Sequence, residues 1–206
     1  MSIQIVLSAF NLSDLGKQLK SKNKQLAEDA IEAFEEFAEE VELDEELIDD
    51  GKARINDLIL SGRMESTETV AEVSAINFLV ASSASPLEDE CENEWPWQSL
   101  NDMNVQFQKR FDERTRILFN YCVEGRPYIG NEFDSDAGFY WYLTNSEVIE
   151  LHNGLGKVYV VVAEIIDSGA MNEQDFDGNL VDTLQAFMET LDSLRDTKMD
   201  LFGIAC

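Results

Sequence analysis

A dense run of carboxylates limits the structures that this chain can adopt. The segment from Glu28 to Asp50 contains thirteen Asp and Glu residues and no Lys or Arg. Because charged side chains are costly to bury without partners, the segment must keep a broad face in solvent. The whole chain of 206 residues has a formal net charge of −27 at pH 7. Such a field repels nucleic acid and anionic membranes and attracts cations and basic proteins, although it identifies no reaction.

The apolar residues between Leu26 and Val41 have a helical period. They recur at spacings of three and four, which places them on one face of a helix and the acids on the opposite face; they are Leu26, Ala30, Phe34, Phe37, Ala38 and Val41. We therefore predict an acidic helix over residues 26–50. On one straight helix the charges would be roughly 2.7 Å apart, which is comparable to the spacing of phosphates in nucleic acid. Alternatively, a second short helix begins at Leu43 and ends near Gly51.

The composition indicates a globular body beneath this charge. Hydrophobic residues make up 44% of the chain, and its length fits one domain, so we predict a single domain over residues 1–206. The fold class predicted is α+β, a helix-rich domain with a small sheet. The two predicted strands are Ile3–Phe10 and a β-branched segment near residues 157–166.

Three further helices are predicted in the second half of the chain. A long helix runs from Met103 to Cys122 and ends before Gly125. A capping box at Thr144 opens a short helix that Gly154 closes. Amphipathic spacing predicts a final helix from Leu180 to Leu194.

An acidic loop is predicted over residues 86–102. Glu92 and Glu94 precede a Trp-Pro-Trp sequence formed by Trp95 and Trp97. Aromatic rings among carboxylates suit a surface that docks a basic partner, with the rings as anchors and the acids guiding the approach. In the alternative interpretation, the Trp-Pro-Trp sequence packs into the core and holds the loop down. Both interpretations remain open at this stage.

Residues with catalytic or metal-binding chemistry are sparse. His152 is the only histidine, and the three cysteines lack the spacing of zinc ligands. A Cys122–His152 nucleophile pair is conceivable, but Cys122 lies on the apolar stripe of its helix and His152 lies near a helix C-terminus. Asp134–Gly138 and Asp175–Asn179 resemble the openings of calcium loops, but their later positions lack the required Gly and Glu. We expect no catalytic residue, no metal and no cofactor.

The sequence favours a cytoplasmic protein that does not enter membranes. Its start lacks a basic region followed by a long apolar run, and the longest apolar run elsewhere, Val158 to Ala163, is too short to span a bilayer. An odd number of widely spaced cysteines fits a reducing compartment.

The C-terminal part resembles a known protein family. The aromatic segment from Phe133 to His152, leading into Val158–Ile166, resembles uncharacterised bacterial domain-of-unknown-function proteins of the YfbM-like type. The N-terminal strand followed by an acidic helix is similar too, so the resemblance covers most of the chain. The family carries no established activity, cofactor or catalytic residue, so the resemblance implies none.

The leading functional hypothesis is an acidic, non-enzymatic interaction protein. It would bind a basic protein and could also inhibit it, as an immunity protein, an antitoxin or a nucleic-acid mimic does. The residues predicted to contact the partner are Glu32, Glu35, Glu36, Glu39, Glu40, Glu92, Glu94, Trp95 and Trp97. One alternative is an enzyme or small-ligand binder that uses the aromatic stretch Tyr128–Tyr142. Another is an acidic protein of a salt-adapted organism with no charge-specific partner. Neither the partner's identity nor the oligomeric state follows from the sequence.

Overall fold

The structure is a computed structural model that describes residues 3–40, 42–64, 68–85, 87, 94–130, 139–168 and 178–205. It confirms a helix-rich α+β fold with a small antiparallel sheet of four strands. In chain order the elements are β1 (Gln4–Phe10), α1 (Leu12–Gln18), α2 (Lys24–Glu40), α3 (Glu45–Asn56) continued by a π-helical turn (Asp57–Ser61), α4 (Val70–Ser83), β2 (Glu94–Pro96), α5 (Trp97–Phe107), α6 (Glu113–Glu124), β3 (Tyr140–Leu143), α7 (Asn145–Asp167), α8 (Gly178–Arg195) and β4 (Asp200–Ala205).

Contacts within the chain group it into two compact units. The first comprises Met1–Ala9, Ser85–Gly125 and Trp141–Cys206, and the second comprises Phe10–Ala84 and Arg126–Tyr140. The acidic helices α2 and α3 belong to the second unit, and the Trp-Pro-Trp sequence belongs to the first. That residues 1–206 form a single domain stays a prediction.

The sheet has the strand order β2-β1-β4-β3. The predicted N-terminal strand is confirmed as β1, in which Ile5 and Leu7 are buried and the residues between them are partly exposed. This alternation is typical of a strand with one face on the core. In β4, which the sequence analysis missed, Gly203 leaves room for the indole of Trp141, because a Cβ at this position would overlap the ring.

The strand predicted near residues 157–166 is wrong, because this segment is the second half of α7. The capping box at Thr144 opens the helix as predicted, but the helix continues through Gly154 to Asp167. Val158 and Val162 are buried four residues apart, which is a helical spacing rather than a strand alternation. Packing against α6 and α8 therefore outweighs the preference of β-branched residues for strands.

Two other predictions in the first unit need correction. The long helix predicted from Met103 to Cys122 is two helices, because Asp112 caps α6 by accepting a hydrogen bond from the Thr115 amide at 2.8 Å. Within the loop predicted over residues 86–102, residues 94–96 form β2 and residues 97–102 belong to α5. Residues 86 and 88–93 of that loop lie outside the described part of the chain. The final predicted helix is confirmed as α8.

In the second unit, α2, α3 and α4 pack against one another. The predicted helix end near Gly51 is wrong, because Gly51 lies inside α3 and is buried. Its missing side chain lets the ring of Phe34 pack against the α3 backbone, since a Cβ there would overlap the ring. The helical segment ends instead at Gly62, which has a left-handed backbone conformation with φ of 67°.

Candidate partner-binding surface

Helix α2 confirms the predicted amphipathic pattern of the acidic segment. Its buried positions are Ala27, Ala30, Phe34 and Ala38. Phe37, which was expected to face the core, is 36% exposed. Val41 lies outside the described residues. The buried face is formed largely by small alanines, so α2 lies close to its neighbours and turns its charged face outward.

The predicted partner-contacting glutamates of α2 are mostly exposed. Glu32, Glu36, Glu39 and Glu40 are exposed and make no ion pair within the described part of the chain. Glu35 is an exception, because it pairs with Lys52 of α3 and keeps 45% of its side chain exposed. The hydrogen bond to Glu35 raises the pKa of Lys52. Four of the five predicted glutamates therefore present uncompensated charge to solvent.

Helix α3 adds a second row of acids beside those of α2. Its exposed acids are Glu45, Glu46, Asp49 and Asp50, and Asp44 is exposed at the position just before the helix. Because α2 ends at Glu40 and α3 begins at Glu45, the charges are divided between two helices. The phosphate-like spacing estimated for one straight helix therefore does not apply.

An apolar groove lies beside these acids, within the second unit. A cavity of about 460 Å³ is lined by Phe34 of α2, by Leu43 in the segment between α2 and α3, by one stripe of α3, and by the start of α4. We call it the α3 groove, and its lining residues are Phe34, Leu43, Leu47, Asp50, Gly51, Arg54, Thr69, Val70 and Ala71. Leu47 is 53% exposed and adds apolar surface at the edge of this groove.

The positive charge of Arg54, which lines the α3 groove, is balanced by a carboxylate of the same chain. Arg54 donates a hydrogen bond from Nε to Glu72, and the two residues form an ion pair. Glu72 is fully buried and also accepts a hydrogen bond from the Thr69 amide at 2.7 Å, as part of the capping box of α4. The exposed carboxylate of Asp50, in contrast, has no ion pair among the described residues. The groove thus combines apolar walls with an anionic rim.

A second buried carboxyl, Glu68, lies just before α4. It is fully buried and accepts hydrogen bonds from the hydroxyl of Tyr140 at 2.6 Å and from the amide of Ile129. Burial raises the pKa of Glu68 to about 7, and these two hydrogen bonds oppose that shift. Its burial could not be predicted from the sequence, because nothing in its local pattern distinguishes it from the exposed glutamates.

The second predicted patch does not form an exposed aromatic surface. Trp95 is 3% exposed and packs edge to face against Phe187, with ring centroids 5.4 Å apart. Trp97 is half-buried, and its indole Nε1 donates a hydrogen bond to the carbonyl of Val123 at 2.9 Å. The prediction that Trp95 anchors a partner is therefore wrong. Its ring belongs to the core, as the alternative interpretation expected. Glu94 is exposed, and Glu92 lies outside the described residues.

The conceivable Cys122–His152 pair lacks a reactive thiol. Cys122 is fully buried, its Sγ donates to the carbonyl of Leu118 at 3.5 Å, and burial raises the pKa of the thiol far above its ordinary value. A buried thiol of this kind is inert, since the thiolate is the nucleophile. The Nε2 of His152 instead lies 3.8 Å from a carboxylate oxygen of Asp192.

The described residues contain no group of three or more His, Cys, Asp or Glu side chains placed to hold a metal ion. The first of the two calcium-loop-like segments, Asp134–Gly138, lies outside the described residues, and so do Asp175–Asp177 of the second. Gly178 and Asn179 of that second segment begin α8.

No helix in the described ranges is both long and apolar enough to span a bilayer.

A comparison of the chain with protein-family models, curated proteins and solved structures found no match, so the resemblance to the YfbM-like proteins stays a prediction.

Proposed function

We propose that this chain is a non-enzymatic interaction protein that binds a basic protein through the carboxylates of α2 and α3 and inhibits it by covering its cationic surface. The observation that carries the proposal is the exposed row on α2, where Glu32, Glu36, Glu39 and Glu40 make no ion pair in the described part of the chain. Because no cation of the described chain compensates these four carboxylates, their combined charge can act on a basic partner.

The physical effect of this surface is mainly on association. A single exposed ion pair contributes only about 0–1 kcal/mol, so no one glutamate determines the affinity. Together, the charges create a potential that guides a cationic partner and increases its association rate. Salt screens this potential over about 8 Å at physiological ionic strength, so binding should weaken as salt rises.

The position of the acids favours an immunity protein or an antitoxin over a nucleic-acid mimic. A mimic needs a long regular row of charges, whereas these acids are divided between two separate helices beside the α3 groove. Uneven charge also argues against general adaptation to salt, because Lys109, Arg110, Arg114 and Arg116 are clustered in one part of the chain.

The small-ligand alternative has less support from the aromatic stretch Tyr128–Tyr142. The hydroxyl of Tyr140 accepts a hydrogen bond from the Tyr128 amide at 2.8 Å and donates to Glu68. Tyr140 is fully buried by these contacts. Its polar group is thus used inside the fold, and residues 131–138 lie outside the described part.

The first prediction concerns capture of a basic partner from the native host. The parent chain should retain a basic protein at about 50 mM salt and release it at about 500 mM. A variant with Glu32, Glu36, Glu39 and Glu40 changed to Gln should retain at least about tenfold less, because the guiding potential at α2 is lost. Quantitative mass spectrometry of the eluates measures this difference.

A matched control neutralises the same number of exposed acids on α6, α7 and α8. It carries the substitutions Glu124→Gln, Glu164→Gln, Asp167→Asn and Asp182→Asn. The control should retain the partner as the parent does. If the α2 variant and the control lose the same amount of partner, net charge alone determines the binding. If the parent and the α2 variant retain the same amount of partner, the proposed function is overturned.

A further inference from the structure

We propose that the α3 groove receives a large apolar side chain from a cationic amphipathic helix of the partner. This inference rests on the proposed function and adds to it the chemistry of the partner segment. The acids of α2 and α3 account for attraction but not for a defined bound position, since exposed charge pairs tolerate many arrangements. An apolar anchor in a groove would fix that position.

The shape of the groove suits such an anchor. Leu47, Asp50, Gly51 and Arg54 of α3 follow one another at spacings of three, one and three, so they form one helical stripe that faces the cavity. Leu43, which lies two residues before α3, also lines the cavity. A cavity of about 460 Å³ falls within the range of ligand-binding pockets and is large enough for a Leu, Phe or Trp side chain.

Glycine and alanine shape the floor of the groove. Because Gly51 has no side chain, the face of α3 is open toward the ring of Phe34. Ala71 of α4 also lies close to Gly51, since a Cβ at Gly51 would be 3.3 Å from the Ala71 Cβ. Leu47 stands at the entrance with 53% of its surface exposed. A partner side chain that entered here would cover Leu47 and remove this apolar surface from water.

Charge at the rim selects a cationic partner segment. Asp50 lines the groove, and Glu46 and Asp49 lie on the same helix as exposed carboxylates. Arg54, a cation of the lining, is compensated by the buried Glu72. An anionic amphiphile would therefore meet repulsion, and a second copy of this chain would bring a further charge of −27. Lys and Arg residues flanking an apolar side chain complement this surface.

The segment best matched to these features is a helix. Side chains three and four residues apart on a helix lie on one face, so one apolar stripe can enter the groove while flanking cations reach the rim. This is the geometry of amphipathic helices that bind in apolar grooves. The inference therefore specifies a basic helix with an apolar stripe.

Two synthetic peptides of equal length and charge test the inference. One is a Lys/Leu helix with Leu at alternating spacings of three and four, and the other has Ala at every Leu position. Fluorescence anisotropy of labelled peptides gives their affinities for the full chain. We expect the Lys/Leu peptide to bind at least about tenfold more tightly, because only Leu fills the groove.

Variants of the full chain locate the site. Leu47→Ala should weaken binding of the Lys/Leu peptide roughly five- to twentyfold and leave the weaker Lys/Ala binding unchanged. The control Ile166→Ala removes an exposed apolar side chain of similar size, 42% exposed on α7, and should change neither affinity. Both residues are well exposed, so both variants should fold, and circular dichroism checks this.

The outcomes separate this inference from the proposed function. If both peptides bind equally and the α2 variant weakens both, charge-driven binding stands and the groove inference is overturned. If neither peptide binds at low salt, the proposed function fails as well. If the chain dimerises without peptide and Leu47→Ala dissociates the dimer in sedimentation, the groove belongs to a second copy and the inference is again overturned.

Discussion

Glu68 shows how burial changes the chemistry of one carboxyl among many. Its ordinary pKa of 4.5 is raised to about 7 because the folded chain removes water from it. Tyr140 and Ile129 supply hydrogen bonds to one of its oxygens, and the other oxygen has no partner among the described residues. The folded state therefore binds this proton more tightly than the unfolded state does.

The pH dependence of stability should report this proton. Below the unfolded pKa of 4.5 both states are protonated, so the contribution of Glu68 is fully present. As pH rises toward 7 the unfolded chain releases the proton first, and stability falls by roughly 3 kcal/mol. Glu68→Gln cannot titrate, so its stability relative to the parent should increase across this interval. Denaturant unfolding at pH 5 to 8 measures the difference.

A control separates Glu68 from the general effect of the acidic surface. Protonation of exposed acids relieves repulsion in both proteins as pH falls, so only the difference between parent and variant is informative. Glu32→Gln on the exposed face of α2 should give a curve parallel to that of the parent. A parallel curve for Glu68→Gln would contradict the assigned burial.

The special roles of single residues were the hardest to predict from the sequence. The partners of Glu68 lie 61 and 72 positions further along the chain, so no local pattern reveals its burial. Trp95 was ambiguous for the same reason, because its environment depends on Phe187 of α8. The exposed glutamates of α2 were predictable because exposure follows from the helical period.

At the scale of elements, Gly154 and Gly156 in α7 form a natural pair for comparison. A Cβ at Gly154 would overlap the side chain of Thr115 on α6, whereas a Cβ at Gly156 would meet only the terminal methyl of Met188, 3.5 Å away. The first glycine therefore permits close packing of α6 and α7, and the second has no such requirement.

Alanine substitutions should have opposite effects at these two positions. Gly156→Ala should stabilise the fold by up to about 1 kcal/mol, because Ala has the higher helix propensity. Gly154→Ala should destabilise it by about 1–3 kcal/mol or more, because the extra methyl overpacks the contact with Thr115. Chemical unfolding of the two variants and the parent measures both changes. Equal stabilisation by both would show that α6 can move away from α7 at little cost.

Elements were predictable where a local pattern determined them. The period of α2 and α8 and the capping box of α7 required no knowledge of distant residues. The second half of α7 was mistaken for a strand because β-branched residues dominate it. The buried residues along the whole of α7 have helical spacing; they include Leu151, Leu155, Val158 and Val162. The helical period was therefore present in the sequence, but the β-branched composition outweighed it.

At the scale of the whole molecule, net charge opposes the folded state. A charge of −27 creates repulsion among carboxylates that is stronger in the compact chain than in the unfolded chain. Added salt screens this repulsion, so the melting temperature should rise with NaCl. Between about 20 mM and about 500 mM we expect a gain of roughly 1–2 kcal/mol, or about 3–6 °C.

The fourfold α2 variant used for partner capture tests the origin of this salt effect. With Glu32, Glu36, Glu39 and Glu40 changed to Gln, the chain should melt at a higher temperature in low salt and gain less from added NaCl. Differential scanning calorimetry measures both quantities. A melting temperature that falls with salt in the parent would show that attractive ion pairs, rather than repulsion, dominate.

The fold class of the whole chain followed from the abundance of helical patterns, and the structure confirms it. The strand order could not be predicted, because β2 is short and because β2 and β4 pair with segments distant in sequence. The α3 groove was also missed, since it depends on how three helices pack rather than on any motif.

The location of the tryptophans makes the first unit separately observable. Trp95, Trp97 and Trp141 all belong to it, and two of them are almost completely shielded from water. Indole emission during denaturation therefore monitors that unit alone, whereas far-ultraviolet circular dichroism monitors the helices of both. Superimposable transitions from these two optical signals would mean that the chain melts cooperatively. Divergent midpoints would instead reveal an intermediate in which one half has already lost its structure.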